Sequence, residues 1–112
     1  MNMNQLPEEC QADDEELSIT LKENPTTGYT WKCSMDRIGI LELESDEYKG
    51  EDISETLIGA GGEHSWYFKG ISKGHVAVDF LYYRPWEGEN SATDRKSYTI
   101  QVGENGKIES VI

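Results

Sequence analysis

Positive charge is what this chain has least of. Ten lysines and arginines stand against twenty-two acidic residues, a formal charge of −12 over 112 residues. Affinity for nucleic acid comes mostly from Lys and Arg neutralising phosphates, so nucleic acid is not an expected partner. An anionic membrane surface is excluded by the same argument. Cysteine and histidine are nearly absent too, with two of each. Their spacing matches no zinc motif, and neither a metal nor a cofactor is expected. No stretch is long and apolar enough to read as a membrane span. Met1 to Gln5 lead into polar, acidic sequence, so no signal peptide is read at the start. The expected location is cytoplasmic as the sequence stands, or secreted or extracytoplasmic if a signal once preceded it.

The shortage of cysteine also limits chemistry. Cys33 alternates with Trp31 and Met35 and is expected to point into a core, whereas Cys10 sits in a polar N-terminus. Two free thiols are the favoured reading, with a disulfide between them left open. A cysteine enzyme would need Cys10 or Cys33 beside His64 or His75, within hydrogen-bond reach and in an activating environment. One buried thiol and one in a tail do not promise that. No catalytic residue is assigned, and the chain is not expected to be an enzyme.

What is present is alternation. Leu17, Ile19 and Leu21 alternate with Ser18, Thr20 and Lys22, and Trp31, Cys33 and Met35 with polar partners. Ile38 to Glu44 reads as a further strand, and Trp66 and Phe68 mark another. Val76, Val78, Phe80 and Tyr82 form the cleanest period-two run in the chain, and Tyr98, Ile100 and Val102 the next. Asn105-Gly106 predicts a hairpin turn, because both residues tolerate positive φ, with a short strand returning through Ile108. No helix is expected. The length fits one domain, and the pattern predicts an all-β, immunoglobulin-like β-sandwich of about 7–8 antiparallel strands. Residues 1–15 read as a loose acidic N-terminal tail and 16–112 as the domain. Ser45 to Thr56 is acidic and contains glycine, and reads as a loop. The clustered acids read as a solvated surface, or as a field that steers the chain toward a basic partner.

Three loop sequences interrupt the strands. In Asn24-Pro25-Thr26-Thr27-Gly28-Tyr29, proline fixes its own φ and keeps Asn24 extended. Gly28 permits a turn that other residues resist, and the two β-branched threonines have little side-chain freedom to lose. The result is a stiff bend with a small tip. Gly59-Ala60-Gly61-Gly62 lets another backbone approach closely. A phosphate-cradling loop would be followed by a helix and a Lys-Ser/Thr pair, but Glu63-His64-Ser65-Trp66 follows and reads as a strand. Arg84-Pro85-Trp86 ends the best strand, since Pro85 cannot donate to a ladder. That leaves Trp86 near an exposed turn, and Trp and Arg are frequent interface anchors. Each loop taken alone can also be read as an ordinary turn, a linker or a rim residue folded back on the core.

Taken in this order, NPTTGY, GAGG and RPW resemble the motifs of the chagasin-type inhibitors of cysteine proteases. The resemblance runs from about Leu17 to Val102, and its first motif is the most specific. It implies an immunoglobulin-like sandwich with the three loops at one end, and a papain-like (cathepsin-type) cysteine protease as partner. Thr26 and Thr27 would enter the active-site cleft, Gly59 to Gly62 would lie along the non-primed side, and Trp86 with Arg84 would pack on the primed side. Binding would be reversible and non-covalent, by a chain that is monomeric when free. The alternative is an adhesion or carbohydrate-binding module, with Trp66, Tyr82, Tyr83 and Trp86 stacking on sugar rings.

Overall fold

In the computed structural model, which describes residues 6–50 and 61–112, eight strands form two four-stranded antiparallel sheets. The strands are β1 (Cys10–Asp13), β2 (Glu16–Glu23), β3 (Thr30–Met35), β4 (Leu41–Gly50), β5 (Gly62–Gly70), β6 (Gly74–Tyr83), β7 (Asp94–Val102) and β8 (Ile108–Val111). The first sheet has the order β1-β2-β5-β4 and the second β3-β6-β7-β8. The expected all-β sandwich is the one observed. Helical conformation among the described residues is limited to short 3-10 turns.

Alternation builds the core. Leu17, Ile19 and Leu21 of β2 face inward with Trp66 and Phe68 of β5, opposite Val76, Val78 and Phe80 of β6 and Tyr98, Ile100 and Val102 of β7. Aromatic contacts cross the interior: the Trp66 and Phe80 rings lie 4.7 Å apart and tilted, and Phe80 meets Tyr98 edge-on at 5.9 Å. Tilted and edge-on pairs let the positive rim of one ring meet the negative face of the other. At the β7–β8 turn, Asn105 and Gly106 both take positive φ, as their sequence predicts.

The N-terminal reading needs correction. From Cys10 onward the supposed tail is a strand, in register with β2 from Cys10↔Ile19 to Asp13↔Glu16. Cys10 is 5% exposed. The strand has four residues, too few for its alternation to stand out among acids, and it turns on Asp14 at φ 55. Aspartate tolerates that left-handed conformation better than most residues. Ahead of β1, the Tyr98 hydroxyl donates to Glu9 Oε2 at 2.6 Å, and Glu9 O accepts from Thr20 N at 2.9 Å.

Two further expectations shift. Ile38 is 96% exposed in the turn before β4, and the strand begins at Leu41 instead. Ser45 to Gly50 belong to β4, paired with β5 after a bulge between Leu43 and Ser45. β4 is an edge strand whose residues after Leu41 are all exposed, so no alternation marks it. Its acids suit an edge, where charge discourages pairing with other chains. Residues 51–56, also read as loop, lie outside the described residues. Both cysteines are free, and Cys33 packs half-buried against the core on the expected side.

The Tyr98 hydrogen bond holds the Glu9 carboxyl below the usual glutamate range. A carboxyl whose folded value is lowered adds stability above its unfolded value, and this is lost as pH falls through the folded one. Tyr98→Phe should therefore cost about 1 kcal/mol at pH 7, read as a lower urea midpoint. The gap from the parent protein should narrow by pH 3. A gap of equal size at both pH values would show that the ionised carboxylate contributes nothing.

Candidate functional site

Strand register sets where the loops emerge. Glu23 and Gly50 both pair with Gly62, Thr30 pairs with Tyr83, and Tyr82 pairs with Asp94. The connections β2–β3, β4–β5 and β6–β7 therefore leave from one end of the sandwich. These connections carry the three loop sequences. Gly59 and Ala60 lie outside the described residues, so the second loop is seen only from Gly61.

The first loop closes on itself. Pro25–Thr27 form one 3-10 turn capped by Asn24, whose Oδ1 accepts from Thr26 N at 3.1 Å and Thr26 Oγ1 at 2.6 Å. Asn24 O accepts from Thr27 N at 3.1 Å and Thr27 Oγ1 at 2.7 Å. Thr27 Oγ1 in turn accepts from Tyr29 N at 3.3 Å. Gly28 ends the turn at φ 83, donating to Pro25 O at 3.0 Å. Pro25, Thr26 and Thr27 are exposed. Both hydroxyls are spent on the loop's own backbone and cap, which leaves methyl groups and a proline ring to present.

The third loop is built against the first. A Cβ on Gly28 would lie 2.3 Å from the Trp86 ring, so the indole covers this glycine while Trp86 stays 70% exposed. Arg84 Nε donates to Thr27 O at 3.3 Å, and the guanidinium carbon sits 4.5 Å from the Tyr29 ring centre. Pro85–Glu87 make a second 3-10 turn. Ser91 steadies it, accepting from Arg84 N at 3.1 Å and donating to Gly88 O at 2.7 Å. An exposed ion pair at 2.6 Å ties Lys32 of β3 to Glu89.

The second loop returns beside the first. A Cβ on Gly61 would lie 3.1 Å from Glu23 O, and one on Gly62 only 2.1 Å from Lys49 O. Gly62 thus permits a backbone approach that no other residue allows. Behind this junction His64 spans two carboxylates, with Nδ1 3.0 Å from Glu23 Oε1 and Nε2 2.6 Å from Asp46 Oδ2. Its ring stacks flat on Trp66 at 4.1 Å.

The described candidate residues thus lie at one end, with little in them that could act as a nucleophile. Burial pushes the Cys10 and Cys33 thiols up to about 12, so both are protonated at neutral pH. Residues 12–102 match the model of the chagasin family of peptidase inhibitors, designated I42. The chain belongs to this family. It is 32% identical over 91 residues to amoebiasin-1 of Entamoeba histolytica, covering 81% of this chain and 83% of that one. To chagasin of Trypanosoma cruzi it is 30% identical over 94 residues, covering 80% and 81%. The crystal structure of the cysteine protease inhibitor EhICP2 from Entamoeba histolytica shares the fold at a TM-score of 0.67, with 24% identity and 77% of each chain covered. The solution structure of amebosin matches at 0.55, with 28% identity and 85% of each chain covered.

As a chagasin-family domain the chain is an inhibitor, not an enzyme. Its motif residues divide by position. Pro25, Thr26, Thr27, Pro85 and Trp86 are exposed at the tip, while Tyr29 and Arg84 are half-buried beneath them. Residue patterns alone did not single out Ser91 or Glu23 as parts of this end, and named Tyr82 only as a ring that could stack on sugars. Ser91 and Glu23 lie outside every motif. Tyr82 fits the inward alternation of β6, and its one outward signal is a polar tip at the end of an apolar strand.

Gly28→Ala should lower stability by about 1–2 kcal/mol, since a left-handed φ is strained for alanine. It should also push the indole off the loop, removing NMR contacts between Trp86 and residue 28. An unchanged urea midpoint with the contacts kept would show that the turn does not depend on glycine.

Proposed function

We propose that this chain is a reversible, tight-binding, non-covalent inhibitor of papain-like cysteine proteases, acting through the loop end of the sandwich. The first loop enters the active-site cleft with Thr26 and Thr27 leading. Gly59 to Gly62 lie to one side, making backbone contacts, and Trp86 packs on the other. The related EhICP2 is named a cysteine protease inhibitor, and the family is one of peptidase inhibitors.

The observation that carries the reading is the first loop's closure. A protease cleaves an extended segment, and Asn24–Gly28 instead form a turn held by its own backbone and side-chain bonds. Such a segment offers no extended scissile bond and has little entropy left to lose on binding. Small side chains at the tip suit a narrow cleft. Three separated loops can together cover a standard interface of about 1,600 Å², with Trp86 as the chief anchor. The sugar-binding alternative loses two of its four rings: Trp66 is 3% exposed, and Tyr82 is stacked with Tyr29 and lies tilted against Trp31.

Titrating papain activity, read with a fluorogenic peptide, tests the proposal. Complete inhibition near one equivalent, reversed on dilution, with the chain recovered uncut, is the expected result. Absence of inhibition of papain and of a panel of cathepsin-like enzymes would overturn it. Thr26→Lys should weaken inhibition at least tenfold, on the order of 1.4 kcal/mol, because the tip must enter a crowded cleft. Full inhibition by a folded Thr26→Lys protein would remove this loop as the wedge. Trp86→Ala should cost about 2 kcal/mol of binding, and a loss of only a few tenths would demote Trp86 to a rim residue.

A further inference from the structure

We propose that Tyr82 is a positioning residue that sets the first and third loops into one preassembled binding unit before any partner arrives. The inference rests on the inhibitor reading above and adds to it a residue that belongs to none of the three motifs.

Tyr82 touches both ends of the first loop. Its hydroxyl accepts from Asn24 N at 3.2 Å, where the chain leaves β2. Its ring stacks with Tyr29 at 5.4 Å and 24°, where the chain approaches β3. The same ring lies 4.7 Å from Trp31. Trp31 is 8% exposed and donates from Nε1 to Lys22 O at 2.8 Å, which ties it to the opposite sheet. Tyr29 then carries Arg84, whose guanidinium both rests on that ring and donates to Thr27 O. A continuous column therefore runs from the core through Tyr82 and Tyr29 to the third loop, and Tyr82 is the member that also holds the loop's entry.

The physical consequence is a population effect. When only a fraction of molecules holds the competent loop arrangement, apparent affinity falls by that fraction. Tyr82 raises the fraction without touching the partner. Its hydroxyl and ring contribute separately, so they can be removed separately.

Tyr82→Phe keeps the column and removes the acceptor, whereas Tyr82→Leu removes both. Amide hydrogen exchange in the free protein, followed by NMR, reads the loop directly. Exchange at Asn24 and Thr27 should speed up about three- to tenfold in Tyr82→Phe, the range that one hydrogen bond of ordinary net strength spans. Buried amides of β7 such as Ile100 report global opening and should change less. The papain inhibition constant should rise by a similar factor, and further in Tyr82→Leu. Equal acceleration at loop and core amides with an unchanged inhibition constant would reduce Tyr82 to a plain core residue and overturn the proposal, as would no change in either readout. The exchange arm needs no protease. If the parent protein does not inhibit papain, the inhibitor reading fails while loop exchange still decides the role of Tyr82.

Discussion

Phe80 is the contact on which the rest of the molecule depends. It is fully buried on β6 and meets Trp66 of the opposite sheet on one side and Tyr98 of its own sheet on the other. A close-packed interior transmits small displacements instead of absorbing them. The spacing of the two sheets at this ring therefore fixes the spacing of the strand ends above it. The loops inherit their separation from that spacing, since the first and second leave β2 and enter β5 in one sheet while the third leaves β6 in the other. A loop end made of three separate segments has no geometry of its own. It borrows the geometry of the core.

Within that frame the loops divide their labour. Asn24 and Gly28 spend their chemistry on shape, through a capping carbonyl and a left-handed φ. Tyr29 and Arg84 spend theirs on joining one loop to another. Pro25, Thr26, Thr27, Pro85 and Trp86, which face outward, carry no charge, and the acids beside them are paired, Glu87 with Arg84 and Glu89 with Lys32, although the chain as a whole is strongly acidic. That contrast suits a surface that must give up water to bind, because an unpaired buried charge is costly.

Much of this was legible in the residues, for a physical reason. Turn chemistry is local, so Pro25, Gly28, Pro85 and the Asn105-Gly106 pair announce their bends without reference to the rest of the chain. Strands with one buried face announce themselves by alternation, as Leu17 to Leu21 and Val76 to Tyr82 did. The failures share a cause. β4 past Leu41 is exposed throughout and β1 has only four residues, so neither shows a period to read. Cys10 was misplaced with its strand. The clasp between Trp86 and Gly28 was not visible either, because it depends on the strand register that brings distant turns together. Tyr82 illustrates the limit best. Alternation identifies it as inward, but only the fold shows that its hydroxyl ends beneath Asn24.

The proline after Asn24 has a chemical consequence beyond shape. Asparagine deamidates when the next residue's backbone nitrogen attacks the side-chain amide, and the Pro25 nitrogen carries no hydrogen to make it a competent nucleophile. The capping amide is thus shielded from the reaction that would turn it into a carboxylate at the loop tip. Asn105 has no such shield. It is itself exposed, at positive φ ahead of the buried Gly106, at the far end of β7 from the loops. Deamidation at Asn105 would add its negative charge there, beside Glu104 and away from the three loops at the other end.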